Sequence, residues 1–157
     1  MASSKKFVGL RSANPTYEAE EADSNVESID PLDSYCEYSQ SRRELTYVNN
    51  QTRARTRIGT GYSGHGVGLN NPDMQNVRDV GPIPQGIYDI GGATTTRGPL
   101  TLPLTRQGTD TFGRDSFRIH GDNSSDNQSA SKGCIILRRS IREQINNSGA
   151  RVLRVVP

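Results

Sequence analysis

The sequence predicts a mainly β domain with one or two short helices. The 157 residues include 16 glycines and 8 prolines, and turn-forming residues separate short runs of β-compatible composition along most of the chain. Helical spacing is well signalled in one short segment near the C-terminus. A chain of this length is typical of one compact domain, so a large multidomain assembly is excluded.

The first strands are predicted at residues 35–39, 44–48 and 52–58. These runs are rich in Tyr, Val and Thr, residues that suit a pleated, half-buried surface, and polar turns separate them. We therefore expect an opening meander of three strands.

Four more strands are predicted in the second half of the chain. A segment with two prolines and two glycines, residues 81–86, precedes a strand at 87–90. The remaining predicted strands are 100–104, 116–120 and 151–156. The strand at 116–120 alternates apolar and polar residues and delivers His120 at its end, a position that suits a functional side chain.

One helix is predicted just before the last strand. Ser140 and Glu143 have the spacing of a capping box, and Ile141 and Ile145 share one helical face. We expect the helix to end near Gly149, because glycine readily adopts the left-handed conformation that closes helices.

Residues 1–34 differ in composition from the rest of the chain. They carry three basic and seven acidic residues, against 16 basic and 10 acidic residues in 35–157. Their isolated apolar residues follow neither period 2 nor period 3.6, so we predict a flexible acidic leader or linker over 1–34 and a folded domain over 35–157. The basic residues of that domain are Arg except for Lys132, and guanidinium groups suit carboxylates and phosphates.

Several classes of protein are excluded by pattern. No zinc-finger, helix-turn-helix or RNA-recognition motif is present, so nucleic acid is not an expected partner. No apolar run approaches the roughly 20 residues of a membrane span, and the N-terminus lacks the apolar stretch of a secretory signal. We therefore expect synthesis in the cytoplasm without a cleaved signal peptide.

The chain contains two cysteines, Cys36 and Cys134, too few for a disulfide scaffold. One long-range bridge between them and a free, reactive thiol are both compatible with this count. A zinc site built from these cysteines with His65 and His120 has the right ligand types but no close ligand spacing. We therefore predict neither a metal nor another cofactor.

The segment from His120 to Cys134 is the most informative for chemistry. A histidine that ends one strand and a cysteine that opens the next can meet as base and nucleophile. Gly133 lets a substrate carbonyl approach the backbone, the Cys134 amide can bind its oxyanion, and Gly121 adds to the backbone of the site. The plainer alternative is that Cys134 is a small buried hydrophobe and His120 an ordinary strand end.

A glycine-rich run, residues 59–68, contains Tyr62 and Ser63. This run can form one wall of a substrate cleft, in which both hydroxyls hydrogen-bond a peptide backbone. The alternative is a surface loop whose glycines serve only tight turns.

The His120–Gly121 pair and the Ser131-Lys132-Gly133-Cys134 segment together resemble the signature of L,D-transpeptidases of the YkuD-like superfamily. Upstream, Gly61-Tyr62-Ser63-Gly64, Asn70-Asn71-Pro72 and the segment 81–86 look like the type VI secretion L,D-transpeptidase effector family. The resemblance covers about residues 35–157.

This resemblance implies a β-sandwich or barrel catalytic domain in which Cys134 is the nucleophile and His120 the base. Two positions depart from the superfamily: Lys132 stands where many members have a second His, and Ile136 where they often have Arg or Asn. A substrate-carboxylate contact is therefore expected from elsewhere, with Arg139 or Arg138 as candidates. Ser131 and Lys132 are further candidates for substrate binding.

The function implied is an enzyme acting on L,D bonds of peptidoglycan stem peptides, as carboxypeptidase, as transpeptidase, or by D-amino-acid exchange. The resemblance implies an antibacterial toxin exported by the type VI secretion machinery into the periplasm of target bacteria, with a cognate immunity protein as partner. Two alternatives remain: an endogenous or phage cell-wall enzyme of the same superfamily, and a non-catalytic module that only binds peptidoglycan. An NlpC/P60-type peptidase fits less well, because there the cysteine precedes the histidine.

Overall fold

The computed structural model describes residues 34–108, 111–123 and 128–157. Nine strands are present in these ranges: β1 Tyr35–Ser39, β2 Glu44–Val48, β3 Arg55–Thr60, β4 Tyr62–Ser63, β5 Gly86–Ile90, β6 Leu102–Arg106, β7 Arg118–His120, β8 Ile135–Ile136 and β9 Val152–Val156. The helix α1 spans Arg139–Ser148, and two 3₁₀ turns cover Gly66–Gly68 and Pro72–Met74. The predicted leader, apart from Ser34, lies outside the described residues.

The nine strands form one sheet in the order β3-β2-β1-β9-β5-β6-β7-β8-β4. Its two edge strands, β3 and β4, are consecutive in the chain and are separated only by Gly61. The sheet therefore curls into a nearly closed barrel. A side chain at residue 61 would place its Cβ 1.9 Å from the Ile136 carbonyl oxygen, so only glycine fits where the chain passes from one edge to the other. The mainly β prediction is confirmed.

Apolar side chains from the strands and from α1 fill the interior. The largest fully buried apolar side chains are Tyr38, Leu45, Ile83, Ile87, Tyr88, Leu102, Ile119, Ile135, Leu137, Ile141 and Leu153. Burial of each aliphatic side chain contributes on the order of 1.5–3 kcal/mol, which offsets the conformational entropy lost when this glycine-rich chain orders. Ile119 and Ile135 are central for the site, because they anchor β7 and β8 from within the core.

The predicted ends of several elements are wrong, and the cause lies in local turns. β3 starts at Arg55 instead of residue 52, since the Asn49 side chain accepts hydrogen bonds from the Gln51 and Thr52 amides and holds a turn there. β6 and β7 each start two residues late, at Leu102 and Arg118. Leu100 and Ser116, at the predicted starts, both have positive φ angles, which are incompatible with extended strand.

The helix begins at Arg139, two residues before the start that the predicted Ser140–Glu143 capping box implies. Arg138 is the N-cap residue, and it has no side-chain capping bond, so the Ser140–Glu143 capping box is wrong. The Arg138 carbonyl accepts the amides of Ile141 and Arg142, which sets the helix start at Arg139. Gly149 closes the helix in the left-handed conformation, as predicted.

Candidate active site

His120 and Cys134 line the same cleft because β7 and β8 are parallel neighbours. In their register, Ile119 pairs with Ile135 and His120 with Ile136. The two paired isoleucines are fully buried in the core. Since side chains alternate along a strand, His120 lies on the opposite face. Cys134 directly precedes β8 and shares that face with it.

The face opens into a cleft of about 260 Å³. Four of the predicted site residues line it: Cys134, His120, Gly133 and Lys132. The other lining residues are Arg78, Asp79, Arg97, Arg114, Asp115, Ser116, Phe117, Arg118, Ser129 and Ala130. The cleft thus combines the nucleophile and base candidates with an excess of cationic side chains.

The His120 ring is held in one orientation by its own neighbour. Its Nδ1 atom lies 2.8 Å from the Gly121 carbonyl oxygen. A carbonyl only accepts hydrogen bonds, so Nδ1 carries the proton and Nε2 of the neutral ring is left as an acceptor. Burial lowers the pKa of His120 below its usual 6.5, and Arg97, Arg142 and Arg118 lower it further, against the bond to Gly121. His120 is therefore a neutral base at pH 7.

The Cys134 thiol is half-buried and free. Its Sγ donates a weak hydrogen bond to the Ser116 carbonyl at 3.8 Å. Burial raises the pKa of Cys134 above its usual 9.0, while the backbone amide and guanidinium of Arg118, together with Arg97, oppose that rise. The resting site therefore pairs a protonated thiol with a neutral imidazole at pH 7.

Two serine hydroxyls hold the backbone at Cys134 in place. The Cys134 carbonyl accepts hydrogen bonds from Ser131 Oγ at 2.6 Å and from Ser63 Oγ at 2.9 Å. Both serines are fully buried, so they position Cys134 and do not contact a substrate in the cleft. This differs from the substrate-binding role that the sequence predicts for them.

Tyr62 bridges the two ends of the loop between His120 and Cys134. Its buried hydroxyl donates to the Asp122 carboxylate at 2.7 Å and accepts from the Ala130 amide at 3.1 Å. Because its hydroxyl joins Asp122 to Ala130, Tyr62 holds the two ends of the His120–Cys134 loop close together. It is not part of the cleft lining, so its contact with substrate is not supported either.

Arg139 is not brought to the cleft. It lies exposed on α1 and pairs with Glu143 at 3.2 Å, one helical turn away. Arg138, the N-cap residue, is also absent from the cleft lining. The expected carboxylate contact from this pair is therefore not supported.

Gly133 occupies a position where a side chain would be costly. Its φ of +130° is unfavourable for other residues, and an added Cβ would lie 2.5 Å from Arg114 Nη2. Its amide donates to Ser131 Oγ at 3.1 Å. Because the Gly133 amide is thereby occupied, the oxyanion contact predicted from the sequence falls to the Cys134 amide.

Arg114 is a structural part of the site that sequence reasoning missed. It is 4% exposed, and its guanidinium donates to the carbonyls of Gly81, Pro82 and Lys132 as well as to that of Gln75. It also lies over the Phe117 ring, 5.7 Å from the centroid. Burial lowers the pKa of Arg114. No local pattern could have identified it, because its partners are 18 to 39 residues away.

Arg142 has a similar role below His120. Its Nε donates to the Leu137 carbonyl at 2.9 Å, and its Nη1 donates to Pro99 at 2.7 Å and Leu100 at 3.1 Å. A Cβ on Gly121 would lie 2.9 Å from its Nη2. Gly121 thus lets the end of β7 pass close to a buried guanidinium.

The described ranges contain neither a metal-binding cluster nor a helix that could cross a membrane. Across residues 34–108, 111–123 and 128–157, no three His, Cys, Asp or Glu side chains are grouped to hold a metal ion. Both cysteines are free, so the Cys36–Cys134 bridge is not formed. In the described part of the chain, α1 and the other helical turns are all too short or too polar to span a bilayer.

Comparisons with known proteins place the chain in a family. A family model described as the Tlde1 domain matches residues 57–156, more than half of the sequence. No curated protein gives a significant sequence match.

Two solved structures share the fold. Bd1075 of Bdellovibrio bacteriovorus is 12% identical, with a TM-score of 0.54. The helical cell shape determining protein Pgp2 of Campylobacter jejuni is 11% identical, with a TM-score of 0.52. Each match covers 78% of this chain and 47% or 46% of the other, so the chain spans about half the length of these proteins. At such identities the likeness concerns the fold alone.

Proposed function

The chain belongs to the Tlde1 domain family, that of type VI secretion L,D-transpeptidase effectors, and on this premise we propose that it cleaves L,D bonds in peptidoglycan stem peptides through Cys134. The observation that carries the proposal is the His120 Nδ1–Gly121 hydrogen bond. It leaves Nε2 as a proton acceptor in the cleft that also contains the Cys134 thiol.

The acylation step uses this neutral pair. Cys134 Sγ attacks the carbonyl carbon of the third stem residue while His120 Nε2 takes the thiol proton. The carbonyl oxygen becomes an oxyanion that accepts a hydrogen bond from the Cys134 amide. When the C–N bond breaks, His120 returns the proton to the departing nitrogen, and the terminal D-residue leaves as a free amine.

The second step releases the acyl group from the thioester. Water attacks while His120 accepts its proton, which yields a carboxylate and restores the thiol. An incoming amine in place of water forms a new amide, which is transpeptidation or D-amino-acid exchange. Both outcomes use the same two side chains, so the relative access of water and amine to the cleft determines their ratio.

Family membership also supports the biological setting. A type VI effector is delivered into a neighbouring bacterium, and its peptidoglycan lies in the periplasm. We extend the proposal to antibacterial action there, with a cognate immunity protein that protects the producing cell.

The proposal is tested by incubating the full chain with tetrapeptide-bearing muropeptides and following the products by mass spectrometry. We expect loss of the terminal D-residue and a covalent acyl adduct on Cys134. Cys134→Ala should abolish both and keep its circular dichroism spectrum, because it removes the nucleophile without enlarging a core side chain.

Cys36→Ala is the matched control, since it deletes the other thiol of the chain. It should keep wild-type turnover. Wild-type turnover by Cys134→Ala, or an adduct on a residue other than Cys134, would overturn the assignment.

A further inference from the structure

Cationic side chains outnumber carboxylates around the reacting groups. The cleft is lined by four arginines and Lys132, against Asp79 and Asp115. Arg114 has its guanidinium occupied by backbone carbonyls, and Arg78 donates to the Gly113 carbonyl. Neither of these two has its full set of donors free for a ligand.

Arg97 and Arg118 have fewer hydrogen-bond partners than Arg114 among the described residues. Arg118 Nη1 donates a long hydrogen bond, 3.3 Å, to the Ser116 carbonyl, and the Arg118 side chain also hydrogen-bonds the Cys134 thiol. Within the described residues neither arginine forms an ion pair with a carboxylate. Both lie close enough to Cys134 and His120 to lower the pKa of each. Two guanidinium groups therefore line the cleft beside Cys134 and His120 without an ion pair to any carboxylate of the described residues.

Arg118 is placed by the sheet. It precedes Ile119, the register partner of Ile135, just as Cys134 precedes Ile135, so the two side chains are neighbours across strands about 4.8 Å apart. A substrate residue spans at most about 3.6 Å. Because the Arg118 side chain also hydrogen-bonds the Cys134 thiol, a substrate group that it binds lies about one residue from the carbonyl that Cys134 attacks.

Arg97 is placed by a braced turn. The Gly98 amide donates to the Thr95 carbonyl at 3.0 Å, and Thr101 Oγ1 donates to the Gly98 carbonyl at 2.8 Å. Arg142 holds the following residues through the Pro99 and Leu100 carbonyls. The backbone after Arg97 is thereby tied to α1, and the exposed Arg97 side chain lines the cleft.

We propose that Arg97 and Arg118 together bind a substrate carboxylate that lies within one residue of the scissile amide. This rests on the proposed function and assigns the specificity of the same site. Paired guanidinium groups recognise carboxylates with good geometry. Two carboxylates of a stem peptide meet the distance requirement: the α-carboxylate of the departing residue, and a side-chain carboxylate on the third residue.

The test compares three synthetic tetrapeptides: one with both carboxylates, one ending in a carboxamide, and one with lysine as its third residue. We expect kcat/KM of the wild-type protein to fall about 10- to 100-fold for the peptide that lacks the recognised carboxylate, as for the loss of a charged hydrogen bond. Whichever analogue shows the fall identifies the carboxylate. Equal turnover of all three peptides would overturn the proposal.

Variants then assign the effect to residues. Arg97 is exposed, so Arg97→Gln should fold normally. In this variant the kcat/KM values for the three peptides should agree to within about threefold. Arg118→Lys, which keeps the charge, should retain part of the discrimination between peptides. Arg57→Gln, which removes an exposed arginine paired with Glu44 on another face, is the control and should discriminate like wild type. If Arg97→Gln lowers kcat/KM by the same factor for all three peptides, carboxylate recognition by Arg97 is contradicted.

Binding separates this proposal from the proposed function. Calorimetric titration of Cys134→Ala with the same peptides measures carboxylate recognition without turnover. Cys134→Ala should bind the tetrapeptide with both carboxylates more tightly than the analogue that lacks the recognised one, and Cys134→Ala/Arg97→Gln should lose this difference. That result supports the carboxylate site even if the wild-type protein turns over none of the peptides. Equal binding of all three peptides by Cys134→Ala contradicts it even if turnover is observed.

Discussion

The two cysteines of this chain occupy opposite kinds of environment. Cys36 lies on β1, is 1% exposed, and belongs to the apolar core. Burial raises its pKa to about 12. Burial also raises the pKa of Cys134, but Arg118 and Arg97 act against that rise. His120 lines the same cleft as Cys134. Cys36 has no such group acting on it among the described residues.

The difference shows that burial alone does not decide the chemistry of a thiol. Both sulfur atoms are withdrawn from water, which disfavours the thiolate in each case. Only around Cys134 does the fold supply cations that favour the anion and a neutral base that can take the proton. The two thiols therefore differ in exposure and, in addition, in the groups that compensate for burial around Cys134.

The largest expected difference between the two thiols is in alkylation. Iodoacetamide should modify Cys134 in the native protein on the order of 10⁴-fold faster than Cys36, because Cys36 reacts only after an opening that costs several kcal/mol. Pulsed labelling followed by peptide mass spectrometry gives both rates. The Cys134 rate should still rise above pH 9, since its pKa is raised.

Labelling in denaturant provides the control, where the two thiols should react alike. Comparable native rates would show that the contrast between the two environments has no chemical consequence.

A smaller but still large effect is expected for the base. His120→Ala should reduce kcat/KM about 10²- to 10⁴-fold, the usual contribution of a positioned base, while the fold is kept. In the wild-type protein kcat/KM should be retained at pH 6.5 and fall at lower pH. The sign follows because the pKa of His120 is lowered, so the ring stays neutral until the pH falls through that value.

In His120→Ala the decrease of kcat/KM at low pH should disappear, because this variant has no imidazole at residue 120 to protonate. An unchanged acid limb in this variant would assign the base elsewhere.

The smallest effect is expected at Lys132. Its side chain is exposed at the cleft, and it is not among the charges that act on the Cys134 thiol. Lys132→Gln should leave both the alkylation profile and turnover within about twofold of wild type, as expected for an exposed surface position. Lys132→His, which introduces the residue common in the superfamily, should also keep the alkylation profile and turnover of the wild-type protein.

The same two assays check this prediction. A clear upward shift of the thiol pKa in Lys132→Gln would mean that the compensating charge at Cys134 includes Lys132 as well as the arginines.

Local sequence signals predicted much of the fold, with errors where long-range contacts intervene. β1 and β2 occur at their predicted residues, since alternation and turn chemistry are properties of a few adjacent residues. The start of β3 was wrong because the Asn49 side chain stabilises a turn within the expected strand. The helix cap was wrong because packing of Ile141 and Ile145 in the core, rather than a capping box, holds the helix in place.

The sequence by itself determined the β architecture and the residue types at the candidate site. The His120–Gly121 and Gly133–Cys134 pairs are adjacent residues, so their pattern is readable without a fold. The tertiary structure alone decided which side chains surround them. Arg97, Arg118 and the buried Arg114 and Arg142 act through partners on other strands and loops, and sheet register and loop packing bring such groups together. Ser63 and Ser131 changed from candidate substrate contacts to backbone supports for the same reason: burial is a property of the assembled barrel, not of the local sequence.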